Sequence, residues 1–221
     1  MNAPFSASSS AAPWVVMGGA FDPVHYGHLR SAFELLDVLR VPTIQFLPTG
    51  QPVHRPGLFA PNGLRLAMLR AAIHDQPRFA IDERELHRQG PSYTVDTLEQ
   101  LRAEHPGRSL CFVVGLDAFL SMPTWHRAER VLDLAHVVVV HRPGFELPSA
   151  GPLKGWLDAH QTQRVGDLHA AAQGRIYVYD VTPLAISATA IRDLLKQGQD
   201  PQFLLPPAVR EIILQHQCYS T

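Results

Sequence analysis

The sequence predicts an α/β protein built on a doubly wound, mostly parallel sheet. Short apolar runs alternate along the chain with stretches of helical periodicity. Several of those runs, Leu110 to Val114 and Ala135 to Val140 above all, are apolar at nearly every position, as strands covered on both faces are. A length of 221 residues with 46% hydrophobic content is enough for one sizeable core.

Residues 1–13 are small and polar, with no basic or apolar segment of a secretion signal, and are expected to form a disordered tail. Residues 14–221 are expected to be a single domain. Trp14 to Met17 reads as a buried strand running into Gly18-Gly19. From Gly27 to Arg40, Leu29, Ala32, Phe33, Leu35, Leu36 and Leu39 recur at helical spacing. Thr43 to Leu47 is a second strand, stopped by Pro48. Leu64 to Ile73 is a helix with Arg65 and Arg70 on its wet side, and Arg78 to Asp82 a short strand. Ser92 is the expected cap of a helix that Pro106-Gly107 closes. The strand at Leu110, a short helix near Arg127 to Leu134 and the strand at Ala135 follow. Residues 143–174 read as an irregular insertion, rich in Pro, Gly and Gln. A strand at Arg175 to Tyr179 and helices at Ser187 to Lys196 and Pro207 to Gln215 complete the pattern. The segment from Pro48 to Pro61 follows a strand's carboxyl end, where open α/β sheets bind ligands, and is a candidate substrate loop.

Lys+Arg total 19 and Asp+Glu 20, a balance that gives no electrostatic reason for binding long nucleic acid or an anionic membrane. Two cysteines, Cys111 and Cys218, do not make a disulfide framework, and Cys111 reads as a core thiol. No apolar run reaches the roughly 20 residues of a membrane span. The expected location is the cytoplasm.

The chemistry concentrates in two places. Gly18-Gly19-Ala20-Phe21-Asp22-Pro23-Val24-His25-Tyr26-Gly27-His28-Leu29 joins the first strand to the first helix, where glycines and free helix N–H groups receive phosphate. It is neither GxGxxG nor a P-loop. Instead two imidazoles, His25 and His28, lie three residues apart, on one helix face, with Gly27 between them. Two such donors suit a transition state that gathers negative charge on phosphate oxygens. A core histidine and a metal-chelating pair are the competing readings, and neither a Cys pair nor HExxH supports the second. Late in the chain, Ile186-Ser187-Ala188-Thr189-Ala190-Ile191-Arg192 begins a helix. Ser187 is its cap, and Thr189 and Arg192 share a face near the positive end of the helix dipole. An ordinary capped helix with a solvated arginine is the bland alternative.

The first string resembles the HxGH signature of the nucleotidyltransferase superfamily, and its longer form GGxFDPxHxGH resembles the bacterial nicotinate-nucleotide adenylyltransferases. Ala20 stands where that family usually has Thr or Ser. The late string resembles the family's ISxTxIR motif. Pro52-Val53-His54-Arg55 resembles its PPH(K/R) loop, with Val53 for the second proline. Glu83-Arg84-Glu85 with Ser92-Tyr93-Thr94, Gly115-Leu116-Asp117, Pro123-Thr124-Trp125 and His141-Arg142-Pro143-Gly144 resemble further family strings. The likeness runs from about Trp14 to Tyr219.

That resemblance implies a Rossmann-like nucleotidyltransferase fold. It implies transfer of AMP from ATP to nicotinate mononucleotide, with Mg²⁺ carried mainly on the ATP phosphates and no protein metal site. His25 and His28 would serve the α-phosphate, and Gly18, Gly19, Ala20, Phe21, Gly27, Gly115 and Asp117 the rest of ATP. Ser187, Thr189 and Arg192 would hold the leaving pyrophosphate. His54, Arg55, Tyr93, Thr94, Trp125 and Arg142 would bind the nicotinate nucleotide. Trp125 offers a flat ring to stack on the pyridine, or else a lid residue that packs a loop. Glu83 and Glu85 are expected to pair at the surface with Arg84 and Arg88, and His74, His87, His105, His160 and His169 to be surface groups. The same chemistry on nicotinamide mononucleotide or phosphopantetheine, and a non-catalytic adenylate sensor, are the alternatives.

Overall fold

The structure is a computed structural model that describes residues 11–52, 58–141 and 147–220. Its centre is a seven-stranded sheet: β1 (Trp14–Gly19), β2 (Ile44–Pro48), β3 (Phe79–Ile81), β4 (Leu110–Gly115), β5 (His136–His141), β6 (Gln161–Thr162) and β7 (Ile176–Asp180). The order is β3-β2-β1-β4-β5-β7-β6, with every pairing parallel. The mostly parallel sheet expected from the apolar runs is thus parallel throughout. Between them run α1 (Tyr26–Val38), α2 (Asn62–Ile73), α3 (Thr94–Glu104), α4 (Leu116–Ser121), α5 (Arg130–Leu134), α6 (Pro152–His160), α7 (Val165–Ala170), α8 (Ala188–Lys196) and α9 (Pro207–Gln215).

Strand period two divides the core into two halves. Val15, Met17, Ile44, Phe46, Cys111, Val113, Val138 and Val140 face α1, α2, α8 and α9. Val16, Leu47, Leu110, Phe112, Val114, Val137 and Val139 face α3, α4, α5 and α6. Burial on both faces is why those strands carry no polar alternation. It also pushes the Cys111 thiol up to about 12, so that it stays protonated as a core side chain.

The chain winds outward from β1 through β2 to β3, then returns to lay β4 on the other side of β1. The crevice at that reversal lies beyond the carboxyl ends of β1 and β4, at Gly19 and Gly115.

The structure corrects several expectations. Arg65 is fully buried, not on the wet side of its helix, because three acceptors wait for its guanidinium. Tyr93, not Ser92, occupies the cap position of α3. Ser92 instead pairs with Gln51: its N–H donates to the Gln51 carbonyl at 2.8 Å and its Oγ accepts from the Gln51 N–H at 3.2 Å. The stretch expected to be irregular at 143–174 carries α6, β6 and α7, seated by Leu153, Leu157 and Leu168, and β6 adds an edge strand to β7. Residues 1–10 of the expected tail lie outside the described residues.

Candidate functional site

β1 ends at two glycines packed closely under aromatic rings. A Cβ on Gly18 would stand 2.8 Å from the Phe112 ring, and one on Gly19 would stand 3.0 Å from the Phe21 ring. Phe21 itself turns the chain with φ of 48° and packs edge-on against Phe46 and His28. Arg65 braces this turn from beneath. Its Nη1 donates to the Ala20 carbonyl at 2.5 Å, and its Nη2 to the Thr49 carbonyl at 2.6 Å and to Asn62 Oδ1 at 2.7 Å. One buried cation therefore ties the end of β1 to the end of β2.

His25 is buried at the cap position of α1, and His28 stands one turn in. The two rings stack, 3.7 Å between centroids and 27° between planes. The His25 main-chain N–H donates to His28 Nδ1 at 3.3 Å. That bond uses Nδ1 as the acceptor, so a neutral His28 carries its proton on Nε2. Burial, and then the His25 imidazole, hold His28 well below the usual histidine range. Gly27 is required by the same arrangement. A Cβ there would meet His25 Cε1 and Nδ1 at 3.0 Å and the Ile186 carbonyl oxygen at 3.4 Å.

Ile186 opens the second motif, so the two strings, far apart in sequence, touch in space. Ser187 caps α8, its Oγ accepting from the Ala190 N–H at 3.1 Å. Arg192 lies half-buried, its Nη2 donating to Thr189 Oγ1 at 3.2 Å and its Nη1 to the Asp22 main-chain carbonyl at 2.7 Å. Ser187 and Thr189 are exposed. Arg192 also lies over the Phe59 ring, 4.2 Å from its centroid, with the Lys196 ammonium at 5.5 Å from the same ring. Asp22, Phe59 and Lys196 were not among the expected site residues. Asp22 sits inside the first string, which was signal enough; Phe59 and Lys196 carry no motif.

The remaining expected residues that the structure describes stand at the end of β4, in α4 and beyond it, and at the start of α3. Gly115 and Asp117 are exposed at the end of β4 and in the first turn of α4. Phe112, which closes on Gly18, meets Trp125 edge-on at 6.5 Å. Trp125 is half-buried, and its Nε1 donates to Ser121 Oγ at 3.2 Å. Tyr93 and Thr94 open α3 and are partly exposed, with the Tyr93 ring 4.5 Å from that of His126. His54, Arg55 and Arg142 lie outside the described residues.

Glu83 pairs at the surface as expected, but not with Arg84, and Glu85, which feels the Arg88 charge, is buried instead of exposed. Glu83 reaches Arg70 at 2.5 Å and His87 at 3.5 Å. Arg84 pairs with Asp82 and Glu104. Glu85 is buried and accepts from Thr97 Oγ1 at 2.7 Å, with a further bond from the Gly50 main chain. Burial raises its pKa. His74 and His87 are exposed, whereas His160 and His169 are partly covered and bond the carbonyls of Gly174 and Leu39. Among the described residues, no group of three or more His, Cys, Asp or Glu side chains is placed to hold a metal ion.

A stacked imidazole pair, a helix start and a hydroxyl–guanidinium pair thus converge where a parallel sheet reverses its strand order. Hydrogen-bond donors predominate, which is the arrangement that stabilises charge on phosphate oxygens.

Comparison with known proteins follows that geometry. Residues 16–194 match the family model described as cytidylyltransferase-like. A relative from Aeromonas hydrophila subsp. hydrophila, named probable nicotinate-nucleotide adenylyltransferase, is 45% identical over 207 residues, covering 94% of this chain and 97% of the relative. One of the same name from Methylococcus capsulatus is 46% identical, covering 93% and 98%. Among solved structures, Plasmodium falciparum nicotinic acid mononucleotide adenylyltransferase complexed with NaAD superposes with a TM-score of 0.73. It shares 17% sequence identity and is covered to 98%, against 95% of this chain.

Proposed function

This chain belongs to the cytidylyltransferase-like family and, within it, to the nicotinate-nucleotide adenylyltransferases, and we infer that it moves AMP from ATP to nicotinate mononucleotide, giving deamido-NAD and pyrophosphate. An oxygen of the mononucleotide's phosphate attacks the α-phosphorus of ATP in line. The new bond is P–O–P, and the bond that breaks joins the α-phosphorus to the oxygen bridging to the β-phosphorus. That oxygen leaves with the pyrophosphate, taking the electron pair. The attacking phosphate is already an anion at neutral pH, so no base has to remove a proton. What the protein contributes is position and charge stabilisation.

His25 and His28 are assigned to the α-phosphate, where His28 offers a neutral Nε2–H. Ser187, Thr189 and Arg192 are assigned to the β- and γ-phosphates. Gly18, Gly19, Ala20, Phe21 and Gly27 supply close main-chain approach, and Ala20 leaves this contact to the backbone alone. Gly115 and Asp117 are assigned to the nucleotide, Asp117 as an acceptor for a ribose hydroxyl. Tyr93, Thr94 and Trp125, with His54, Arg55 and Arg142, are assigned to the nicotinate nucleotide, with Trp125 stacked on the pyridine. The observation that carries the reading is the meeting of the two motifs: the Ile186 carbonyl against Gly27, and Arg192 bonded to the main chain of Asp22.

Enzymes of this kind use a divalent metal with ATP. We assign Mg²⁺ to the substrate's phosphate oxygens and water. The donor set favours that placement, since both Asp22 carboxylate oxygens already accept hydrogen bonds from the protein. With ATP as substrate and buried or unpaired thiols only, the working location is the cytoplasm. Among the described residues no helix is long and apolar enough to cross a membrane.

The test is a pyrophosphate-release assay with MgATP and nicotinate mononucleotide, run beside nicotinamide mononucleotide and phosphopantetheine. Fastest release with the nicotinate acceptor supports the assignment. ATP binding with no pyrophosphate from any acceptor would leave a nucleotide sensor.

A further inference from the structure

The C-terminus closes on the first motif. Beyond α9 the chain turns back through Cys218 and Tyr219, both buried. The Tyr219 hydroxyl donates to Asp22 Oδ1 at 2.6 Å, across 197 positions of sequence. Asp22 is buried and is also bonded from the main chain of the candidate substrate loop: the Phe59 N–H reaches Oδ2 at 2.7 Å and the Ala60 N–H reaches Oδ1 at 3.1 Å. Arg65 and Tyr219 both lie in the electrostatic neighbourhood of this carboxylate, and burial together with the Asp22 bond raises the Tyr219 pKa.

Asp22 then reaches Arg192 by two routes. Its own main-chain carbonyl accepts from Nη1, and the carboxylate holds the main-chain N–H of Phe59, the residue whose ring lies under the guanidinium. Asp22 and the Phe59 main chain that its carboxylate holds thus supply two of the contacts of Arg192, beside the Thr189 hydroxyl.

We propose that Tyr219 is a positioning residue for the triphosphate half of the site: its hydroxyl fixes the Asp22 carboxylate, which fixes Arg192 through the Asp22 carbonyl and through Phe59. The proposal rests on the assignment of Arg192 to the leaving pyrophosphate. Tyr219 thereby supports the site from outside it, through Asp22. A hydroxyl bonded to a charged acceptor is among the stronger neutral donors in a protein, and losing it without losing the ring isolates its effect.

The experiment combines Tyr219→Phe, Arg192→Ala and the double variant. Tyr219→Phe is expected to raise KM for pyrophosphate in the reverse reaction about five- to ten-fold. In the Arg192→Ala background the same change should add less than about two-fold, because the route to the phosphates is already cut. In the free protein, the amides of Phe59 and Ala60 should exchange with deuterium faster in Tyr219→Phe than in the parent. A merely structural tyrosine would give independent, multiplying effects and unchanged exchange at those two amides, and that result overturns the proposal. If Arg192→Ala alone leaves KM for pyrophosphate unchanged, the Arg192 assignment falls, and the exchange of the two amides decides on the Tyr219 contact. Should Tyr219→Phe not fold, Asp22→Asn carries the same measurements, since an amide at that position faces one main-chain N–H with the wrong group.

Discussion

Replacing His28 with Ala isolates the donor on which the α-phosphate assignment depends. The ring's Nδ1 is taken by the His25 N–H at 3.3 Å, and burial with the neighbouring imidazole keeps the group neutral at pH 7. What it presents to a phosphate is one Nε2–H, held in place by stacking on His25 at 3.7 Å. Deleting one preorganised donor of this kind costs roughly 10²–10³ in kcat, or about 2.7–4 kcal/mol of transition-state stabilisation. The same deletion leaves the His25 N–H without its acceptor at the start of α1, which costs about 0.5–1.5 kcal/mol of stability. The two effects separate in one experiment. Steady-state pyrophosphate release at saturating substrates reads kcat, and a thermal melt of the same sample reads stability. A fall in kcat of the stated size, with KM for ATP changed less than about three-fold, is the expected pattern for a group that acts in the transition state. A folded variant with kcat within about three-fold of the parent would remove His28 from the α-phosphate.

Two more outcomes follow from buried charges and buried imidazoles. Arg65→Leu strips the donors from the carbonyls of Ala20 and Thr49 and from Asn62. Each buried acceptor left unpaired costs about 1–3 kcal/mol, offset in part because a cation is no longer buried, so a net loss of about 2–4 kcal/mol is expected in urea unfolding. A loss below about 1 kcal/mol would mean that the brace is idle. For pH, the folded-state pKa of His28 is lowered below the ordinary 6.5, so the unfolded chain binds more protons between the two values. Stability therefore falls as the pH drops below about 6.5 toward the folded-state value. The drop in melting temperature between about pH 7 and pH 5.5 should shrink in His28→Ala, with His136 and His105, also held low mainly by burial, retaining their share. An equal drop in both proteins would count against a His28 held neutral in the folded state.

The strands were legible because burial on both faces leaves a plain signature. Val137 to Val140 admits few other readings, and the alternation of Val15, Val16 and Met17 between two cores needs no polar member. The helix caps were legible only where the capping residue bonds its own helix, as Ser187 does. Ser92 has the same chemistry, but its partner is Gln51, 41 residues away, and no local pattern encodes that. Arg65 and Glu85 were misread for a related reason. A charged residue in an amphipathic helix or a charged string reads as solvated, and only tertiary structure supplies the acceptors and donors that make its burial tolerable. The site's two motifs were visible as strings; their contact through Gly27 and Ile186 was not, because it depends on where α8 returns beside α1. Phe59 meets Arg192 with one ring face and Tyr219 meets Asp22 with one hydroxyl, and single residues of those types have no signature.

The imidazole pair and the Arg192 cluster are both assigned to one triphosphate. A titration of the protein with a non-hydrolysable ATP analogue, following the ring resonances of His25 and His28 and the Arg192 Nε–H by NMR, tests it most directly. All three are expected to shift along a single isotherm with one Kd. Histidine signals that move while Arg192 stays still, or two isotherms with separate midpoints, would contradict it.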